Sequence, residues 1–239
     1  VLRLVGSEMC IRDSATGIQF GALALSLMLL AVMWLVRTDL LSDWQKTIPE
    51  NAPNAFALNI APYEKDAYLS VLDEHEIERS RDYPIIRGRL TEINGIDAKE
   101  QAQGEEGSDV LRREINFTFG TENPEHNTIL QGEWSESNGV SVESDVAEDF
   151  NLKLGDELKF VINSQVVTAK VNSIRHVEWR DMKPNFYFIF TPDVLESIPA
   201  TYLVSFRVED QHNGVLNELS RSHPTVSLMD IRSMGAVSY

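Results

Sequence analysis

The sequence predicts an α+β chain: one transmembrane helix, then a mixed α/β subdomain built from two split βαβ-like units, with a β-rich subdomain inserted between them. Three observations carry this. Residues 17–36 are uncharged and interrupted only by Gln19 and Ser26; twenty residues at ~1.5 Å rise make ~30 Å of helix, the thickness of a hydrocarbon core. Near each end of the remaining sequence a strand, a helix and a second strand follow one another. Short strands and turn signals fill the space between these two units.

Composition narrows the function classes. The 239 residues carry a formal charge of −16, and nucleic acid is not an expected partner, because neutralising phosphates takes clustered Lys and Arg. The same balance argues against docking of the soluble body on anionic lipid heads. An apolar share of 43 % is enough for a packed core. One cysteine, Cys10, rules out an internal disulfide and says nothing about compartment.

Residues 1–14 (VLRLVGSEMCIRDS) read like a translated adapter peptide and are expected to be a non-native leader. They lack the small-residue cleavage site of a signal peptide. Residues 15–37 are the expected span. Arg3 and Arg12 before it and Arg37 and Lys46 after it leave its orientation open by charge counting. Residues 38–54 form a helical extension and linker: Leu40, Leu41 and Trp44 sit at helical spacing as a coupling helix, and a Pro-rich connector, TIPENAPN, follows.

The first α/β subdomain takes residues 55–92 and 198–232. Phe56, Leu58 and Ile60 alternate as in a half-buried strand. Ala67, Tyr68, Val71 and Leu72 then share a helical face, and Tyr83, Ile85, Ile86 and Leu90 mark the returning strand. The pattern recurs with Tyr202, Val204, Phe206 and Val208, then Val215, Leu216 and Leu219 on a helix, then Val226 and Leu228. Two such units bracketing the body suggest halves of one layered subdomain brought together around an insertion.

The insertion is residues 93–197. Residues 99–112 are Gly-, Gln- and Glu-rich without period and predict a mobile loop. Strands are expected at 114–119, 139–143, 158–162 and 166–177, with a short helix to Phe150 capped by Ser144 and a hairpin turn at Asn163 and Ser164. Residues 186–190 (FYFIF) are apolar on both faces, which predicts a strand covered on both sides. Thr191 and Pro192 open the helix after it.

No catalytic, cofactor-binding or metal-ligating residue is expected. The five histidines fall in no H-x-x-x-H or H-E-x-x-H pattern, and neither a phosphate-cradling G-x-x-x-x-G-K-[ST] nor a G-x-S-x-G elbow is present. His126, beside Glu125 and Asn127, reads more simply as a surface loop than as a polar site. Arg175, His176, Glu178, Trp179 and Arg180 read more simply as a strand alternating charged and apolar positions than as a binding patch. Asn116 to Thr118 match the glycosylation sequon inside an expected strand. Phe186, Tyr187 and Phe188 are the candidate apolar contact for cargo or a partner, with core packing as the plainer reading.

RTDLLSDWQ after the span, then NAPNAFALNIAP, YPIIRGRLTEING, NLKLGD, RHVEW, KPNFYFIF and TYLVSFR, together resemble the FtsX-like permease subunits of bacterial ABC transporters. The resemblance runs from about residue 15 to the end. It implies a MacB-like periplasmic core domain, a bacterial inner-membrane location with the body in the periplasm, and a chain cut at both ends. It further implies a separate cytoplasmic ABC ATPase subunit as partner, a periplasmic partner, and relay of nucleotide-driven motion to export or extraction of hydrophobic or lipid-like cargo. Two other readings compete: a single-span anchored sensor or binding domain without transport activity, and an anchored hydrolase built around His126.

Overall fold

The computed structural model describes residues 2–46 and 51–234, which fall into two compact units, residues 1–49 and 50–239. The first unit is one unbroken helix, α1 (Leu2–Lys46), which runs through the expected boundaries at 14 and 37. Within it Arg12–Leu40 has a mean hydropathy of 2.1, and none of that stretch is buried. Apolar side chains point outward on every face, so this is no amphipathic helix seeking a protein core. Two of its hydroxyls are satisfied within the helix: Ser26 Oγ donates to the Ala22 carbonyl at 2.9 Å and Thr38 Oγ1 to that of Trp34 at 2.7 Å.

The second unit begins with β1 (Ala55–Ile60), α2 (Lys65–Glu74), β2 (Tyr83–Ile93), β3 (Ile96–Asp97), α3 (Ala98–Gln101), α4 (Gly104–Arg112) and β4 (Ile115–Phe119). It continues with β5 (Asn127–Gly132), β6 (Gly139–Glu143), α5 (Ser144–Asp149), β7 (Glu157–Ile162), β8 (Gln165–Val177), β9 (Phe188–Phe190) and α6 (Pro192–Leu195). It closes with β10 (Thr201–Phe206), α7 (Asn213–Ser222), β11 (Ser227–Asp230) and α8 (Ile231–Met234).

Strands from the two ends of this unit interleave in the order β11-β1-β10-β2, each antiparallel to its neighbour. Their buried side chains form one cluster with α2 and α7, which includes Ala55, Ala57, Tyr68, Leu72, Val204, Phe206, Leu216 and Leu219. The inward phase of β1 differs from expectation. Ala55 and Ala57 are buried while Phe56 and Leu58 are only half-buried, because a bulge at Asn59 (φ 60°) shifts register before Ile60. Small side chains there let the helices lie close to the sheet. On α2 the buried face is Tyr68, Leu69 and Leu72, with Ala67 exposed.

The rest of the unit is a closed ring of six strands: β2 pairs with β7, β7 with β8, β8 with β6, β6 with β9, β9 with β4, and β4 again with β2. Closure leaves no unpaired edge within the ring. Phe117, Phe160, Phe188 and Phe190 fill it, edge to face at 4.9–5.8 Å. Gly88 on β2 admits this packing, since a Cβ there would come within 2.6 Å of Ile162 and 2.7 Å of Phe117. Long β2 belongs to both the layer and the ring, so the boundary drawn at 92 runs through a continuous strand.

Two further expectations are corrected. Residues 99–112 are not a loop: they hold α3 and α4, with Val110 fully buried. Asp149 fixes α4, because its carboxylate accepts from the Gly107 N–H at 2.8 Å and its carbonyl from the Gln103 N–H at 2.9 Å. The cap of α5 is Glu143 rather than Ser144, its carboxylate accepting from the N–H groups of Asp145 and Val146 at 3.1 and 3.0 Å.

Candidate functional site

A cleft of about 550 Å3 opens where the segment before β2 and the end of β10 meet the loops before β5 and β9. It is lined by Arg79, Arg81, Glu122, His126, Lys183 and Ser205, among others. The Arg79 fork is committed: Nε and Nη2 hold the two Asp73 oxygens at 2.7 and 3.0 Å, which keeps that carboxyl below its ordinary value. Arg81 lies over the Tyr83 ring at 5.0 Å and 3.5 Å from Glu122. Ser80 pairs with β10, its N–H donating to the Ser205 carbonyl at 2.8 Å and its hydroxyl accepting from the Ser205 N–H at 3.1 Å. The Ser205 hydroxyl is buried with no partner among the described residues.

His126 is tied down here. Its Nε2 bonds the Pro184 carbonyl at 2.9 Å, and burial, the largest influence, lowers its pKa. Asn127 next to it donates to Asn185 at 3.0 Å, so residues 126–127 and 184–185 form one clamp. The Pro184 carbonyl accepts only from an Nε2–H, which fixes the neutral ring's proton on Nε2. Among the described residues no three His, Cys, Asp or Glu side chains gather as a metal site.

The alternative of a binding patch around Arg175 does not come together. Arg175 is fully buried and donates to Asn127 Oδ1 at 3.1 Å and to the carbonyls of Ser141 at 3.1 Å, Tyr187 at 3.4 Å and Phe186. Burial lowers its pKa, and the buried Glu143 carboxylate, itself raised by burial, opposes that. His176 is exposed and Trp179 is 45 % exposed, while the Arg180 side chain lies outside the described residues. The apolar-contact candidates are likewise divided. Phe188 is at 0 % exposure because ring closure turns it inward, and Phe186, ahead of β9, is at 4 % because it packs with Tyr83 and Ile189. Tyr187 is half-buried, its hydroxyl donating to Glu106 at 2.7 Å.

Leu40 is exposed on α1; the side chains of Leu41 and Trp44 lie outside the described residues, as does the connector at 47–50. Sequence reading missed a polar latch. The Glu64 carboxylate meets His223 Nδ1 at 3.0 Å and accepts from Thr225 at 3.3 Å and from the Ala61 N–H at 3.2 Å. The latch joins the start of α2 to the loop before β11, and the matched positions of these loops at the two ends of the unit were its sequence signal.

No protein-family model matches the chain. An uncharacterized ABC transporter permease, YbbP, of Escherichia coli (strain K12) is 40 % identical over 231 residues, which is 96 % of this chain and 28 % of that permease. This chain is homologous to part of an ABC transporter permease. It spans little more than a quarter of that relative's length. A domain of a candidate permease protein from Porphyromonas gingivalis, known from its crystal structure, aligns at 8 % identity over 74 % of this chain and 77 % of that one, with a TM-score of 0.36. At that score no argument passes between the two.

Proposed function

We propose that this chain is a permease-subunit segment of a bacterial ABC transporter, with α1 in the inner membrane and the folded unit in the periplasm. The observation that carries the reading is the 40 % identity to a permease across 96 % of the chain. The outward-facing apolar helix agrees with a membrane location. The finer reading treats β11-β1-β10-β2 as two interleaved split β-α-β halves, and the six-stranded ring as the domain inserted between them, as in a MacB-like core of FtsX-like permeases.

The relationship to a permease favours mechanical rather than catalytic work. ATP is hydrolysed by a separate cytoplasmic subunit, and α1 with Leu40, Leu41 and Trp44 passes a tilt of the span to the periplasmic unit. Cargo is hydrophobic or lipid-like, with a periplasmic partner receiving it. Two experiments on the full-length permease assembled with its ATPase test this. A flexible Gly/Ser stretch inserted at Pro49 is expected to leave ATP hydrolysis running while abolishing transport, and unchanged transport refutes the lever. In a permease otherwise free of cysteine, a cysteine at exposed Glu105 is expected to react with a membrane-impermeant maleimide in spheroplasts; protection there refutes periplasmic placement.

A further inference from the structure

A second cavity, of about 400 Å3, lies against β2, β4 and the segment entering β9. Arg87 and Arg113 line it, and neither makes an ion pair with any described carboxylate. In a chain of formal charge −16, where carboxylates outnumber cations, two free guanidinia in one recess are unexpected. The carboxylate in the lining, Glu114, sits 3.7 Å from Arg89 instead. Arg87 and Asn116 are directly opposed across β2 and β4, so their side chains leave the sheet on one face.

The wall is aromatic. The rings of Trp179 and Tyr187 lie 5.2 Å apart at 55°, and the Tyr187 hydroxyl bonded to Glu106 holds its ring in place. Ile115 and Phe186 also border the recess but are nearly fully buried. A ligand therefore meets guanidinium forks, an amide, a carboxylate and the exposed face of an indole. Guanidinium forks match the paired oxygens of a carboxylate or phosphate. A bare anion would leave the indole unused, and an uncharged ring would leave the guanidinia unused.

We propose that this recess binds an anionic sugar. Arg87 and Arg113 take its carboxylate or phosphate, Asn116 and Glu114 its hydroxyls, and Trp179 the carbon face of its ring. The proposal rests on the recess alone and is independent of the transport reading.

Calorimetric titration of the full chain in detergent micelles tests it, with glucose 6-phosphate, glucuronate, glucose and inorganic phosphate as probes. Saturable binding of at least one of the two anionic sugars is expected, with glucose and inorganic phosphate each at least roughly tenfold weaker. Arg87→Gln, Arg113→Gln and Trp179→Ala are each expected to weaken it by roughly tenfold, the scale of one lost charge-assisted or well-packed contact. All three positions are partly or fully exposed, and an unchanged thermal midpoint confirms that each variant is folded. In nanodiscs, competition by phosphatidylinositol supports the site with a lipid head group as its source, and binding without such competition supports it with a free sugar. Failure of both anionic sugars to bind, phosphate binding as tightly as glucose 6-phosphate, or affinity indifferent to all three substitutions overturns the proposal.

Discussion

Two apolar stretches of this chain meet opposite fates. Along α1 the side chains of Leu23, Leu27, Leu30 and Met33 stand 57–73 % exposed, whereas on β9 Phe188 and Phe190 are completely enclosed. Both are rich in large hydrocarbon groups, yet one satisfies its backbone internally and can face lipid, while the other depends on two neighbouring strands for every hydrogen bond. Apolar character alone therefore does not identify a contact surface. What decides is whether the backbone is self-sufficient, and only the helix is.

The contrast can be broken or sharpened by substitution, beginning where the effect is greatest. Phe188→Ala empties the centre of the ring and is expected to destabilise the folded unit by ~3–5 kcal/mol in denaturant unfolding. If stability is retained, β9 is no core element. Leu27→Lys is expected to leave that unfolding curve alone while raising the cost of membrane insertion by ~2.5–3.5 kcal/mol, read as the fraction of chain that resists alkaline extraction. A helix packed against protein would instead lose fold stability.

A smaller effect concerns the latch, which lies in the layer and not in the ring. The His223 hydrogen bond is the main reason the Glu64 pKa falls below its ordinary 4.5. A carboxyl held low in the folded state contributes stability that is fully present above 4.5 and is lost as pH falls through the lowered folded value. Glu64→Gln should therefore lower the thermal midpoint at pH 7 and flatten its decline on the acid side. Coincident acid limbs for the two proteins would show that the latch contributes nothing.

Where neighbours in sequence decide structure, the sequence was legible. Val204 and Phe206 alternate inward, α7 buries Leu216 and Leu219, and Asn163 and Ser164 turn the β7–β8 hairpin with positive φ. Distant contacts hid the rest. Gly104 and Gly107 look like helix breakers, but Gly107 is where α4 meets Asp149, with a Cβ there only 3.1 Å from the Asp149 Cβ. Arg175 shares strand parity with Ala169, Val171, Ser173 and Val177, all buried, which was a signal that it points inward. That four remote oxygens wait for it there is written in no local pattern.

The interleaving of β1 with β10 and β11 has a consequence for biogenesis. A ribosome releases β1 early, but both of its partners come from beyond Thr201. Until they emerge, Ala55–Ile60 has two open hydrogen-bonding flanks beside a nascent ring that can already close from β2 to β9. Non-local pairing of this kind is slow and leaves sticky intermediates, so maturation of the layer is a late event in which a holdase chaperone would find β1 as its first client.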